Sequence, residues 1–262
     1  MKTKRFAFLA CVLVSLASLC LGAAAISPAQ LLEAIRSGPG STAGRIFYYV
    51  RLPRTAGCLL AGAALSTAGC VIQNVLLNPL ASPNIIGINA GAGLAVTVCC
   101  AFGWLSGWAL AGAAFGGAFL AVMLVSCAAG LAGASRTTVI LSGVAVNAFL
   151  GAISDTVTNL VPDAAVLSGD FRVGGFGSVV TARLVPAGVL ILLALAAVFV
   201  LHNELEVLSL GEDTARSLGL NAGRMRTVFL GLSAVLCGAA VSFAGLLGFV
   251  GLIVPHAVRR LA

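Results

Sequence analysis

Few residues in this sequence could perform chemistry. Lysine occurs only at Lys2 and Lys4, in the N-terminal tail, and histidine only at His202 and His256. A phosphate-binding Walker A loop, a lysine Schiff base and a lysine general base all need a lysine in the body of the chain, so these classes are excluded. Two histidines are too few for a histidine-rich metal site. We therefore predict no catalytic residue, no metal ligand and no cofactor bound by this chain.

One acidic residue, Asp155, lies within an otherwise apolar stretch. An ionisable group inside a membrane segment is a functional candidate by default. Its position close to one end of the stretch fits a hydrated residue at the mouth of a helix bundle equally well. The sequence leaves the role of Asp155 open between these two interpretations.

The composition indicates a membrane protein. The chain has 262 residues, of which 60% are hydrophobic and 9% are charged, against roughly 25% charged residues in a soluble domain. Fifteen Lys and Arg and eight Asp and Glu cannot cover the surface of a soluble protein of this size. A soluble enzyme and a nucleic-acid-binding domain are therefore excluded. We predict one all-α membrane domain, a polytopic helix bundle over residues 1–262, surrounded by lipid.

Uncharged runs between charged residues predict eight membrane spans, because a spanning helix needs about 20 mainly apolar residues. Residues 137–161 hold one span, interrupted by Asp155 near one end, and the uncharged runs are 6–32 with one span, 55–135 with three, 184–203 with one and 227–258 with two. The last run is too long for one straight span. We expect residues 245–251 (GLLGFVG) to break it into two short helices.

Basic residues mark both termini as cytoplasmic. Lys and Arg collect at cytoplasmic ends of spans, and the chain has Lys2, Lys4 and Arg5 at its start and Arg259 and Arg260 near its end. Termini on the same side require an even number of spans, in agreement with eight. The alternative is that the first segment is a cleaved signal peptide, with the small residues 22–25 as its cleavage region.

Four stretches depart from plain apolar sequence. They are residues 51–54 (RLPR), 73–83 (QNVLLNPLASP) followed by Gly87, 208–220 (LSLGEDTARSLGL) and 248–259 (GFVGLIVPHAVR). Arg51 and Arg54 are expected to form a rigid cationic edge on the outside, which either anchors the span at the interface or docks an acidic partner. The second stretch interrupts apolar sequence with two prolines and polar amides. Such backbone is tolerated at membrane depth only inside protein or beside water.

The third stretch predicts a short cytoplasmic helix. Glu212 and Asp213 suit the positive end of its dipole, and Gly219 is placed to stop it. Ala215 and Leu218 are expected to share one apolar face. This stretch is interpreted as a docking element between two spans, against the alternative of a plain solvated loop. In the fourth stretch, His256 is interpreted as a hydrogen-bonding group at a helix end in preference to a proton relay.

Together these stretches resemble the FecCD family, the transmembrane permeases of bacterial ATP-driven importers for iron–siderophore, haem and cobalamin. The matching residues, in the family's order, are 51–54, 62–65, Gln73, 78–81, Pro83, Gly87, 91–92, 210–212, Ala215, 217–219, 248–252, 255–256 and Arg259. The resemblance implies a bacterial inner-membrane permease that works as a homodimer or similar pair. It further implies two cytoplasmic ATP-binding subunits, which use the ATP, and a periplasmic substrate-binding protein.

The resemblance also implies roles for particular residues. Arg51 and Arg54 would dock the binding protein. A coupling helix to the ATP-binding subunits would lie between spans six and seven and use Gly211, Glu212, Asp213, Ala215, Arg216, Leu218 and Gly219. The residues of structural or translocation motifs would be Gln73, Asn78, Pro79, Pro83, Gly87, Pro255, His256 and Arg259.

The sequence departs from the family in two respects, of which the first is that the loop at residues 167–180 lacks the tryptophan usual in the family and offers Phe171 or Phe176 in its place. The second is its length. The family implies ten spans, whereas this sequence stops at Ala262, just after the Pro255–His256 motif. We therefore expect a permease that is incomplete at its C-terminus and transports poorly alone. The rival class is an ion-coupled secondary transporter, which needs ionisable or paired polar groups at mid-membrane. Asp155 alone is thin support for it. The transported chelate stays open.

Overall fold

The fold is known from a computed structural model that describes residues 2–21, 33–36, 38–131 and 135–261. Over these residues the chain is helical and contains no strand. Residues 22–25, the candidate signal-peptide cleavage region, lie outside the described residues. The helices are α1 Lys2–Cys20, α2 Thr42–Leu76, α3 Ile88–Ala101, α4 Gly107–Leu131, α5 Arg136–Leu160, α6 Pro162–Val173, α7 Thr181–Val200, α8 His202–Ser209, α9 Glu212–Ser217, α10 Ala222–Ala244 and α11 Val250–Leu261.

Five of the described helices, α2, α4, α5, α7 and α10, are long and apolar enough to cross a membrane. Helix formation follows from the surroundings, because hydrocarbon offers no partner for a backbone N–H or C=O group. The chain is therefore a multi-pass membrane protein. The prediction of an all-helical bundle is confirmed, while the count of eight spans stays a prediction.

The difference in count has a physical reason. The apolar parts of α1 and α3, Leu9–Cys20 and Ile88–Ala101, are shorter than a spanning helix. The 14 residues of α3 are about 21 Å long at 1.5 Å per residue, short of a hydrocarbon layer about 30 Å thick. The chain between charged residues is long enough for eight spans, but part of it forms breaks between the α-helices at residues 77–87, which include a 3-10 helix at Pro83–Ile86, and at residues 245–249. Counting apolar residues cannot separate helix from break.

Helix direction defines two ends of the bundle. We call the end formed by residues 202–221 the inner end and the end formed by residues 162–180 the outer end. The charge pattern predicts that the inner end is cytoplasmic. Exposed aromatic residues lie at the outer end, Phe102 and Trp104 between α3 and α4 and Trp108 in the first turn of α4, as is typical of a membrane–water interface.

Helix α10 lies at the centre of the bundle and packs against α2, α4 and α7. Its buried residues include large side chains such as Phe229 and Leu236 and small ones such as Gly238 and Ala240. Small residues let membrane helices approach closely. One close approach joins α3 to α4, where a Cβ built on Gly91 would overlap the carbonyl oxygen of Gly117.

Substitution at this crossing tests the packing. Gly91→Ala should lower the thermal unfolding midpoint of the detergent-solubilised protein by roughly 2–8 °C, because overpacking costs about 1–3 kcal/mol. Gly116→Ala is the matched control: a Cβ there has no neighbour within 4 Å, and alanine favours the helix by about 0.5–1 kcal/mol. Equal midpoints for the two variants would contradict the packing described.

Candidate coupling and translocation sites

The short helix α9 lies between α7 and α10 at the inner end, as the sequence predicts. It begins at Glu212, and the preceding Gly211 has φ of 118°, a conformation that favours glycine. Gly219 follows the helix with φ of 80°. The Gly219 amide donates to Arg216 O at 2.9 Å and the Leu220 amide to Ala215 O at 2.9 Å. These two bonds form a Schellman motif, so the predicted stop at Gly219 is confirmed.

Glu212 ties α9 to the central helix. Its Oε2 accepts a hydrogen bond from Arg226 Nη2 of α10 at 2.7 Å, and its Oε1 accepts one from Arg216 at 2.8 Å. Arg226 is only 3% exposed, whereas the Arg216 side chain is 68% exposed. The contact with Arg226 is therefore the stronger link, because a charge pair away from water is screened less.

The electrostatics of this link are visible in the pKa of Glu212. Partial burial of the carboxyl would raise its pKa, but the hydrogen bonds and positive charges of Arg226 and Arg216 outweigh burial and lower the pKa below the usual 4.5. The ion pair therefore persists at neutral pH. Sequence reasoning missed this role of Arg226; an arginine in the first turns of an otherwise apolar helix was the available signal.

The predicted shared face of Ala215 and Leu218 is wrong. Ala215 is fully buried inside this chain, whereas Leu218 is 63% exposed. The reason is that Ala215 contacts the bundle while Leu218 caps the helix end and points away. Leu210, just before the helix, is also exposed, at 62%. Two exposed leucines therefore flank α9 on a segment that is otherwise polar.

A second cluster joins two stretches that are far apart in sequence. The Gln73 amide donates from Nε2 to Gly251 O at 3.4 Å, and Arg259 donates to Gln73 Oε1. Gly251 lies against Pro83, with its potential Cβ 2.9 Å from Pro83 Cδ. The motif residues of α2, the 77–87 break and α11 therefore form one contact region.

The remaining motif residues of this region shape the chain. Asn78 Oδ1 accepts from the Leu80 amide at 2.9 Å across Pro79, which forms a tight turn. Gly87 has φ of 87° and starts α3. Pro255 is buried within α11.

His256 does not occupy the predicted helix end. It lies in the middle of α11, is exposed, and makes no hydrogen bond to the described residues. The interpretation as a helix-end hydrogen-bonding group is therefore wrong, because α11 continues beyond it to Leu261.

The two arginines of the 51–54 stretch lie in different surroundings. Arg51 is only 5% exposed and donates to Leu21 O, so the expected cationic edge at this position is wrong. A π-helical turn at Phe47–Arg51 joins the helix on either side and rotates Arg51 inward. Arg54 is half-buried at the outer end, where its Nε donates to Phe176 O at 3.2 Å and its Nη2 to Gly177 O at 3.5 Å.

Asp155 is exposed in the outer half of α5 and lines an open cavity of about 320 Å³. The walls of this cavity come from α3, α5, α6 and the 245–249 break. We call it the outer cavity; it is lined by Asn89, Ala90, Gly93, Leu94, Gly151, Ser154, Asp155, Arg172 and Leu246. Of the two interpretations of Asp155, its position therefore fits a residue facing an open cavity.

Comparisons with known proteins give a consistent result. Residues 10–262 match the model of the FecCD transport family. The chain is 34% identical to the ferric enterobactin transport system permease protein FepD of Escherichia coli, over 95% of this chain and 76% of that protein. It is 36% identical to the cobalamin import system permease protein BtuC of Halobacterium salinarum, over 86% of this chain and 61% of that protein.

A solved structure agrees with these sequence comparisons. The fold is similar to an inward-facing conformation of a metal-chelate type ABC transporter, with a TM-score of 0.84 and 26% sequence identity. The match covers 97% of this chain and 79% of that one.

Removing the Glu212 carboxylate should loosen α9. Glu212→Gln leaves Arg226 buried without its counter-charge and should destabilise the attachment of α9 to α10 by about 1.5–3 kcal/mol. The fraction of molecules in which α9 is detached should therefore rise about tenfold or more. Trypsin added to inside-out vesicles should then cleave after Arg216 correspondingly faster. Asp213→Asn is the matched control, since it removes the neighbouring charge from the same helix start. Equal cleavage of both variants would show that the ion pair does not hold α9.

The pH dependence of this link has a definite sign. A carboxyl whose pKa is lowered on folding stabilises the fold above its usual value of 4.5 and loses that stabilisation as the pH falls through the lowered pKa. Thermal unfolding of the wild type between pH 7 and pH 3 should therefore show a loss of stability in the acidic part of this range. The Glu212→Gln variant should lack that component.

Proposed function

The chain belongs to the FecCD transport family, and from this premise we propose that it works as the permease subunit of an ATP-driven importer. Its ligand class is an iron chelate or a related ligand such as cobalamin or haem. Relatives are permease proteins for ferric enterobactin, Fe(3+)-citrate and cobalamin. The chain itself is the membrane component, and ATP is hydrolysed by a separate subunit.

The observation that carries this proposal is the attachment of α9 to the bundle. A short helix at the inner end is linked to the central helix α10 through Glu212 and Arg226 at 2.7 Å, and it exposes Leu218. Helix α10 contacts α2, α4 and α7. A force applied to α9 by an ATP-binding subunit would therefore reach the bundle through one ion pair and one buried alanine, Ala215.

The outer end supplies the surface for a substrate-binding protein in this proposal. Arg54 is the cation of the 51–54 stretch that reaches the outer end, where it braces the 176–177 backbone. We propose that this region docks an acidic surface of the binding protein. Arg51, which is buried, would support the docking surface by holding the chain near Leu21 in place. Exposed ion pairs contribute only about 0.2–1 kcal/mol each, so several contacts must act together.

Other parts of the proposal follow the family. The permease would work in the bacterial inner membrane as a homodimer or similar pair, with two ATP-binding subunits beneath it. Helix α5 is the candidate pairing surface, because it is the least buried of the five membrane-length helices among the described residues. An ion-coupled secondary transporter is the alternative, but it would give α9 and its exposed leucines no role.

Reconstitution tests this function directly. Proteoliposomes that contain the permease and its ATP-binding subunits should accumulate a radiolabelled ferric chelate when ATP and the binding protein are both present. Omitting either one should abolish accumulation. Uptake that follows an imposed ion gradient without ATP would support the secondary transporter instead.

Leu218 is expected to contact the ATP-binding subunit. Leu218→Glu replaces an apolar contact worth about 1.5–3 kcal/mol with a charge, so co-purification of the ATP-binding subunit should fall about tenfold or more. Thr214→Glu adds the same charge one turn earlier on the same helix and serves as the control. If both variants retain the subunit equally, Leu218 does not form the contact.

A further inference from the structure

The outer cavity contains two charged groups that do not neutralise each other. Arg172 of α6 and Asp155 of α5 both line it, and among the described residues neither has an ion-pair partner. Charged side chains in membrane-spanning proteins face a water-filled space or pair with one another. Both side chains are exposed, so the cavity is open to water and its two charged groups are accessible to a polar ligand.

The Arg172 guanidinium is held in place by two hydroxyl groups on buried residues. Its Nη2 donates to Ser154 Oγ at 2.6 Å and to Thr97 Oγ1 at 3.2 Å. Thr97 is fully buried and donates in turn to Gly93 O at 2.8 Å, and Ser154 is only 6% exposed. The two hydroxyls fix the direction of the guanidinium but leave its charge uncompensated.

The free donors of Arg172 determine what it can bind. Its Nε and Nη1 groups make no hydrogen bond to the described residues, and a guanidinium binds carboxylate-like oxygens better than neutral acceptors. The walls beside it include Ala90, Gly93 and Gly151, which leave room for a ligand to approach. A volume of about 320 Å³ holds one arm of a metal chelate.

We propose that the outer cavity is a binding site for an anionic chelate and that Arg172 contacts its negatively charged oxygen. Asp155 lies on the same cavity and repels surplus negative charge, so it favours ligands that bring an N–H or O–H donor beside the anionic oxygen. The proposal rests on the proposed function and narrows its ligand class.

Equilibrium binding to the complex of permease and ATP-binding subunits tests this site. The complex is placed in nanodiscs of zwitterionic phosphatidylcholine, and the probes are radiolabelled ferric citrate, which is anionic, and an uncharged ferric trihydroxamate. Arg172→Gln should raise the Kd for ferric citrate about tenfold or more, since it removes a charge-assisted hydrogen bond. The Kd for the trihydroxamate should change less than about twofold, which also reports that the variant is folded.

Two further variants separate charge from structure. Arg172→Lys keeps the charge and should recover part of the ferric citrate affinity. Asp155→Asn removes a negative charge from the same cavity and should tighten ferric citrate binding, because the repulsion between two negative charges is lost. If Arg172 only supports the fold, Arg172→Gln should weaken the binding of both probes equally.

Several results would overturn the inference. They are a wild type that binds no ferric citrate, an Arg172→Gln variant that binds it unchanged, and an Asp155→Asn variant that loses it. Loss of ferric citrate binding when phosphatidylglycerol replaces the zwitterionic lipid would assign Arg172 to a lipid headgroup and would also overturn it. ATP-dependent uptake by the wild type is measured in parallel. Its absence would count against the proposed function, whereas normal uptake with unchanged binding in Arg172→Gln would count against this site alone.

Discussion

The structure depends on one constraint: hydrocarbon cannot bond a backbone N–H or C=O group. Wherever a helix breaks at membrane depth, the freed groups must find partners inside the protein. Two outer breaks, at residues 174–180 between α6 and α7 and at residues 245–249, do this for each other. The Gly175 amide donates to Ala244 O at 2.7 Å and the Leu246 amide to Phe171 O at 2.9 Å. The inner break at 77–87 is covered by α5, where Asn147 Nδ2 donates to Asn84 O at 2.6 Å.

This constraint explains why the distinctive motifs lie together. A break needs prolines, glycines and amides to turn the chain and satisfy its backbone, and it needs a close neighbour to cover it. The motif residues Gln73, Pro83 and Gly251 meet for this reason, and Arg259 bonds to Gln73 across the same contact region. The breaks also precede α3 and α11, and Leu246 of the 245–249 break lines the outer cavity beside α3.

How much of this could be predicted from the sequence depends on residue type. Break and cap positions were predictable, because glycine at 211 and 219 and the run at 245–251 have few other uses in an apolar chain. The orientation of side chains was not, as Arg51 and Ala215 show. Lipid and protein interior are both apolar, so hydrophobic periodicity cannot tell a lipid-facing residue from a buried one in a chain that is 60% hydrophobic. The cation Arg172 escaped notice because its partners, Thr97 and Ser154, lie on two other helices, α3 and α5.

Amide hydrogen exchange tests the central claim, that the outer breaks satisfy each other's backbone groups. The amides of Gly175 and Leu246 should exchange as slowly as those inside α10, such as Val241, when the protein is in nanodiscs. The Ser106 amide lies in an exposed turn at the outer end and donates no backbone hydrogen bond to the described residues, so it should exchange rapidly and provides the internal reference. Rapid exchange at Gly175 and Leu246, equal to that of this turn, would contradict the account.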